Sequence, residues 1–221
     1  MIHRCRLVMF DMDGTFIDSK QFHTEVFFRF FNEYVMPVSL EETGAGMGNT
    51  VRDIFRSFHI PEDEFPVLFH RLDYFCRYRI GDLVKDVRVC EGMADVLGRL
   101  RMAGMKTAVV TNSMQCVAEE ILKTHGLYRS FDYISGADIE SMNKKSRCDR
   151  VRVMAGVEEK EVFYVGDSEG DLVLAGDMGY GSIFADTEIS WCRDRKYVLE
   201  QLRPDGVVKD VRDLPDLLMK M

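Results

Sequence analysis

Leu7-Val8-Met9-Phe10-Asp11-Met12-Asp13-Gly14-Thr15 joins an unbroken apolar run to two carboxylates and a glycine. Four consecutive apolar residues without polar alternation read as a strand covered on both faces, the kind found in parallel sheets. Asp11 marks its carboxyl end, and open parallel α/β sheets bind ligands at that edge. Side chains alternate with period two in extended backbone, so Asp11 and Asp13 point the same way. Two neighbouring anions want a cation, and an all-oxygen set points to Mg²⁺, which keeps water and substrate phosphate among its ligands. A calcium loop of the EF-hand type needs glycine at its sixth position and glutamate at its twelfth. Phe16 and Phe22 stand there instead. Taken alone, the segment also fits a solvated turn rich in Asp and Gly.

Further apolar runs at 107–110, 131–134, 162–165 and 182–185 read as buried strands. Helical patterns at 93–103, 114–125, 147–155 and 170–178 alternate with them, several ending near Gly104, Gly126, Gly156 and Gly179. The alternation predicts an α/β fold, a doubly wound, Rossmann-like parallel sheet. Between Asp18 and about Cys90 no such run occurs, while Phe22, Val26, Phe30 and Tyr34 recur every four residues along an amphipathic helix. Pro61, followed by Glu62, Asp63 and Glu64, opens a further helix. The expected organisation is a core of residues 1–18 and 90–221 with an inserted α-helical cap at 19–89, the phenylalanine stripe forming the cap's own core.

Two more strand ends carry chemistry. Val109-Val110-Thr111-Asn112-Ser113 offers hydroxyl, amide and backbone N–H groups at a helix start, suited to an anion or to plain capping. Tyr164-Val165-Gly166-Asp167-Ser168-Glu169-Gly170-Asp171 empties a strand into acids, with Asp167 placed to complete a metal shell. Asp171 can hold a metal-bound water, orient a lysine, or only stabilise the helix start. Four carboxylates facing a phosphate dianion need positive charge besides the metal, and Met142-Asn143-Lys144-Lys145 supplies it.

Together these segments resemble the haloacid dehalogenase superfamily, whose pattern is DxDGT, a Thr/Ser strand end, a lysine, then GDxxxD. The helical insertion is similar to the small cap of phosphoglycolate phosphatase and β-phosphoglucomutase relatives. The resemblance implies that Asp11 is the nucleophile and Asp13 the general acid and base. It implies that Thr111, Asn112 and Lys144 bind phosphate, and that Asp11, Asp13 (through its main-chain carbonyl) and Asp167 bind Mg²⁺. This chain lacks the Lys-Pro of many relatives; Lys144 is preferred because Asn-Lys followed by Ala155-Gly156-Val157 is similar to the form without that proline, with Lys145 the other choice. Gly44-Ala45-Gly46-Met47-Gly48-Asn49-Thr50-Val51-Arg52 occupies the place of the substrate-facing loop, making Gly48, Asn49 and Arg52 specificity candidates, although Arg52 also fits a solvated helix start. His23 and Arg29 rank behind them.

The implied activity is Mg²⁺-dependent hydrolysis of a small phosphorylated metabolite through an aspartyl-phosphate on Asp11. A phosphosugar mutase is the alternative enzyme, with Thr15 tilting toward hydrolysis. Asp13 disfavours a dehalogenase. A silent binding protein on this scaffold would be expected to have lost one of Asp11, Asp13, Lys144 or Asp167, and a receiver domain needs no insertion. The formal net charge of −8, with Arg and Lys dispersed among acids, excludes a nucleic-acid partner. Six cysteines without CxxC pairing suggest reduced thiols, and the start MIHRCRLVMFDMDG lacks the apolar length of a signal peptide or membrane span. A cytoplasmic protein without membrane partners is expected, as monomer or homodimer.

Overall fold

The computed structural model describes residues 5–138 and 143–221, so Met142, at the head of the lysine segment, lies outside the described residues. β1 (Leu7–Phe10) is buried along its whole length. β2 (Ile17–Asp18) follows, then α1 (Lys20–Tyr34), α2 (Leu40–Ala45), α3 (Val51–Ser57), α4 (Phe65–Arg79), α5 (Gly81–Val84) and β3 (Arg88–Val89). β3 pairs antiparallel with β2, so the chain enters and leaves the helical insertion side by side. The rest alternates: α6 (Met93–Met102), β4 (Lys106–Met114), α7 (Gln115–Thr124), β5 (Tyr133–Ala137), α8 (Lys144–Ala155), β6 (Val162–Gly166), α9 (Glu169–Asp177), β7 (Gly181–Ala185), α10 (Arg195–Tyr197), β8 (Gly206–Val208) and α11 (Leu214–Leu218).

Six strands form one parallel sheet in the order β5-β4-β1-β6-β7-β8. Phe10 is in register with Val109 of β4 and Val165 of β6, so β1 lies between them and the chain winds outward on both sides. The carboxyl ends of these three strands therefore open on one crevice, the switch point of a doubly wound sheet. Among the described residues no helix is long and apolar enough to cross a membrane.

The elements differ from the sequence expectation where polar side chains have tertiary partners. β4 runs on to Met114, through Thr111-Asn112-Ser113, and its register with β5 shifts after Val110. Those three side chains do not cap α7, whose start has no side-chain cap. α8 begins at Lys144 rather than 147, because Asn143 caps it by accepting from Ser146 N at 2.9 Å. β5 runs over Tyr133–Ala137, starting two residues and ending three residues later than expected. β8, a three-residue edge strand, gave no legible run.

The phenylalanine stripe of α1 is core. Phe30 is fully buried, its ring centroid 6.0 Å from Phe75 of α4 and 6.5 Å from Phe55 of α3. Phe10 and Phe16 share the same apolar cluster, so the insertion and the sheet are packed as one body of side chains. Phe30→Ala is expected to destabilise the protein by about 3–5 kcal/mol, since it removes a large ring from a site three helices enclose. A shift in the urea midpoint measures it; a loss under about 1 kcal/mol would show that the cluster repacks.

Candidate active site

Asp11 is the first residue beyond β1, and its N–H donates to Val165 O of β6 (2.8 Å), so the ladder continues to Asp11. The chain then turns at Gly14, which has φ +80°. A Cβ there would stand 2.5 Å from Asp167 Oδ2, so the turn needs glycine both for its dihedral and for the approach of Asp167. Asp167 follows β6, and Asp171 sits in the first turn of α9 in a capping box with Ser168. Gly166 is required beside them: a Cβ would lie 2.3 Å from that of Asp171.

Asp11, Asp167 and Asp171 are buried, each with an oxygen within 4.8 Å of the others'. Lys144, the first residue of α8, donates to Asp11 Oδ1 and to Asp171 Oδ1, at 2.7 Å each. The Lys144 ammonium also lies 5.4 Å from the centre of the Tyr164 ring. Burial disfavours its charge, but Asp11 and Asp171 more than offset this and hold it ionised. Burial, with the Asp171 charge second, pushes Asp167 up to about 7 against hydrogen bonds from Trp191 N and Thr15 Oγ1. Burial likewise raises Asp11, opposed by Lys144. Three crowded carboxylates thus share one lysine, and an all-oxygen cluster with surplus negative charge fits a hard divalent cation.

Asp13 is in different surroundings. Ser19 Oγ donates to its Oδ1 at 2.5 Å, His23 Nε2 lies 2.8 Å from the same oxygen, and Thr111 Oγ1 and Ser113 Oγ donate to Oδ2 at 3.1 and 2.6 Å. Burial alone would raise this carboxyl, but His23, Ser113 and Ser19 reverse the shift and bring it to about 2. Ser19 precedes α1 and would ordinarily cap it; its hydroxyl goes to Asp13 instead.

A cavity of about 750 Å³ lies over these acids. Its lining includes Lys20 and His23 of α1, the loop residues Gly48 and Asn49, Asn112, Lys144 and Trp191.

A family model described as haloacid dehalogenase-like hydrolase matches residues 8–185. The chain belongs to that family. It is 29% identical over 217 residues to a phosphoglycolate phosphatase of Cereibacter sphaeroides, covering 96% of each chain. To a protein named "Putative pyrophosphatase PpaX" from Caldanaerobacter subterraneus it is 27% identical, covering 94% of this chain and 91% of the other. The fold superposes with a TM-score of 0.80 on the crystal structure of a predicted phosphatase from Clostridium acetobutylicum, at 20% identity and over 99% and 100% of the two chains.

In this haloacid dehalogenase-like hydrolase the residues singled out by sequence fall as follows. Asp11, Asp13, Thr111, Asn112, Lys144, Asp167 and Asp171 all line the one cavity. The Asp13 carboxylate is not in the three-acid cluster; Asp171 is. The Asn112 amide oxygen accepts from buried Arg147 Nη2 at 3.2 Å. Lys145 pairs at 3.5 Å with Asp177, both exposed, so Lys144 is the lysine of the site. Gly48 and Asn49 line the cavity, whereas exposed Arg52 is not among its lining residues. Arg29 pairs with Glu25 one helical turn away. His23, ranked low by sequence, touches Asp13, as does Ser113, which the strand-end segment contains without a role of its own, and Ser19 and Trp191 lie outside the residues the sequence singles out. Ser19 and His23 are four residues apart, hence on one helix face, immediately after the acidic turn; that spacing was the available signal.

Proposed function

We propose that this chain is a Mg²⁺-dependent phosphomonoesterase acting on a small phosphorylated metabolite, with Asp11 as nucleophile. The observation that carries the reading is the contrast between two carboxylates two residues apart: Asp11 on Lys144 in the acid cluster, Asp13 apart from it among hydroxyls and His23. Relatives named for phosphatase and pyrophosphatase activity support it.

Asp11, the main-chain carbonyl of Asp13 and Asp167 would hold Mg²⁺, which when bound stabilises negative charge on the transferring phosphoryl group. Lys144 holds one Asp11 oxygen, leaving the other to attack phosphorus, while Thr111, Asn112 and Lys144 position the phosphoryl oxygens. As the ester P–O bond breaks, Asp13 gives a proton to the leaving oxygen; as water attacks the Asp11 phosphoryl group, Asp13 takes a proton back. His23 Nε2, 2.8 Å from Asp13 Oδ1, and the hydroxyls of Ser19, Thr111 and Ser113 orient the Asp13 carboxyl for both transfers.

A panel of phosphoglycolate, hexose and pentose phosphates, nucleoside monophosphates and pyrophosphate, assayed with Mg²⁺, tests the reading. Inorganic phosphate release from at least one phosphomonoester is expected. Chelation should lower the rate about a hundredfold or more, and Mg²⁺ should restore it, because several kcal/mol of transition-state charge stabilisation are withdrawn. Isomerisation without phosphate release would mark a mutase, and an inert panel would overturn the proposal.

A further inference from the structure

Two of the chain's free cysteines, far apart in sequence, meet in the fold. Cys76 lies near the end of α4 in the helical insertion, and Cys116 in the first turn of α7 in the sheet core. α4 packs against α7, and the two thiols are hydrogen-bonded to one another across that seam. The thiols of Cys5 and Cys192 donate to oxygen instead, to Leu7 O at 3.7 Å and to Glu169 Oε1 at 3.6 Å. Sulfurs already in contact reach bonding distance through small side-chain adjustments, whereas thiols that do not meet need backbone movement.

The two cysteines are in unequal surroundings. Cys76 belongs to the large apolar cluster and is buried; Cys116 packs against that cluster and is half-buried. Asp73 and Arg77 of α4, paired at 2.7 Å and both reached by solvent, stand beside the thiols, so the rim of the seam is wet. A small oxidant therefore meets Cys116 first. The hydrogen bond to Cys116, and then burial, push the Cys76 thiol well up, so that sulfur keeps its proton until its neighbour has reacted.

We propose that Cys76 and Cys116 form an oxidative modification site that takes a small peroxide and closes into a disulfide, stapling the helical insertion to the sheet core. The Cys116 sulfur attacks one peroxide oxygen and the O–O bond breaks. Water leaves with the thiol proton, and Cys116 becomes a sulfenic acid, oxidised by two electrons. The Cys76 sulfur then displaces that hydroxyl: the S–S bond forms, the S–O bond breaks, and the hydroxyl departs as water with the Cys76 proton. One peroxide yields two waters and one disulfide, which a free thiol reduces again. The bond joins the two walls of the cavity. α7 follows directly on the strand end carrying Thr111, Asn112 and Ser113, and α4 packs on α1, which carries His23. The proposal is independent of the reaction that the acids perform.

The test treats fully reduced, full-length protein with hydrogen peroxide, blocks the remaining thiols with N-ethylmaleimide and maps the peptides by mass without reductant. One cross-linked pair containing Cys76 and Cys116 is expected, absent after dithiothreitol. The thermal midpoint of the oxidised protein should rise by about 5 °C or more and return on reduction, because a bond closing a long loop restrains the unfolded chain. Cys116→Ser should abolish the cross-link and the shift. In Cys76→Ser the cross-link should be lost while dimedone captures Cys116 as the sulfenic acid. Peroxide that only adds oxygen to single cysteines, a cross-link through another pair, or an oxidised wild type that melts no higher than the reduced one would overturn the proposal. The wild-type map and melt decide it even where a serine variant fails to fold.

Discussion

Asp11→Asn is expected to lower Mg²⁺-supported phosphate release by about 10⁴-fold or more, an effect of the size seen when a covalent nucleophile is removed. The amide is nearly the same shape as the carboxylate but cannot attack phosphorus. The variant should still fold, and its thermal midpoint should equal or exceed that of the wild type. Burial already raises the Asp11 carboxyl, with the charges of Asp171, Asp167 and Asp13 adding to it, so a neutral side chain relieves crowding that Lys144 only partly offsets. Loss of activity with retained or raised stability is the signature of a residue kept for chemistry. Phosphate release and a thermal melt on the same preparation check both halves, and wild-type turnover would remove Asp11 from its role.

The part of this architecture legible in the sequence is the part built from local periodicity. β1 was readable because Leu7–Phe10 is apolar on both faces and stops at Asp11, and β6 because Val162–Val165 does the same before Asp167. Lys144 was readable only through its place between these ends, and its choice over Lys145 became physical when α8 turned one toward Asp11 and the other toward Asp177. What stayed hidden depends on contacts between distant segments. Thr111 and Ser113 look like helix capping until Asp13 is seen to take both hydroxyls, which keeps that stretch in β4. Trp191 has no periodicity around it, and its loop is set by Asp167 and Glu169 of another element. β2 and β3 are two residues each and exist because they face one another across the insertion.

Asp13→Asn separates the two halves of the proposed reaction. A general acid and base is worth about 10²–10⁴-fold, so steady-state release from an alkyl phosphate should fall by that amount. An alkoxide needs a proton to leave, whereas a nitrophenolate departs without one. With 4-nitrophenyl phosphate the first transfer to Asp11 should therefore survive in the variant, while the attack of water on the Asp11 phosphoryl group, which still needs a base, should not. The expected trace is a burst of nitrophenolate close to one equivalent of protein, followed by slow turnover. With its oxygen on the Ser19 side asparagine still accepts from Ser19, while its NH₂ donates to the Ser113 hydroxyl, which turns to accept, so the hydroxyl net around position 13 keeps a centre and the site keeps its shape. Equal losses on both substrates with no burst would place Asp13 outside proton transfer, as an anchor for His23, Ser19 and Ser113 alone.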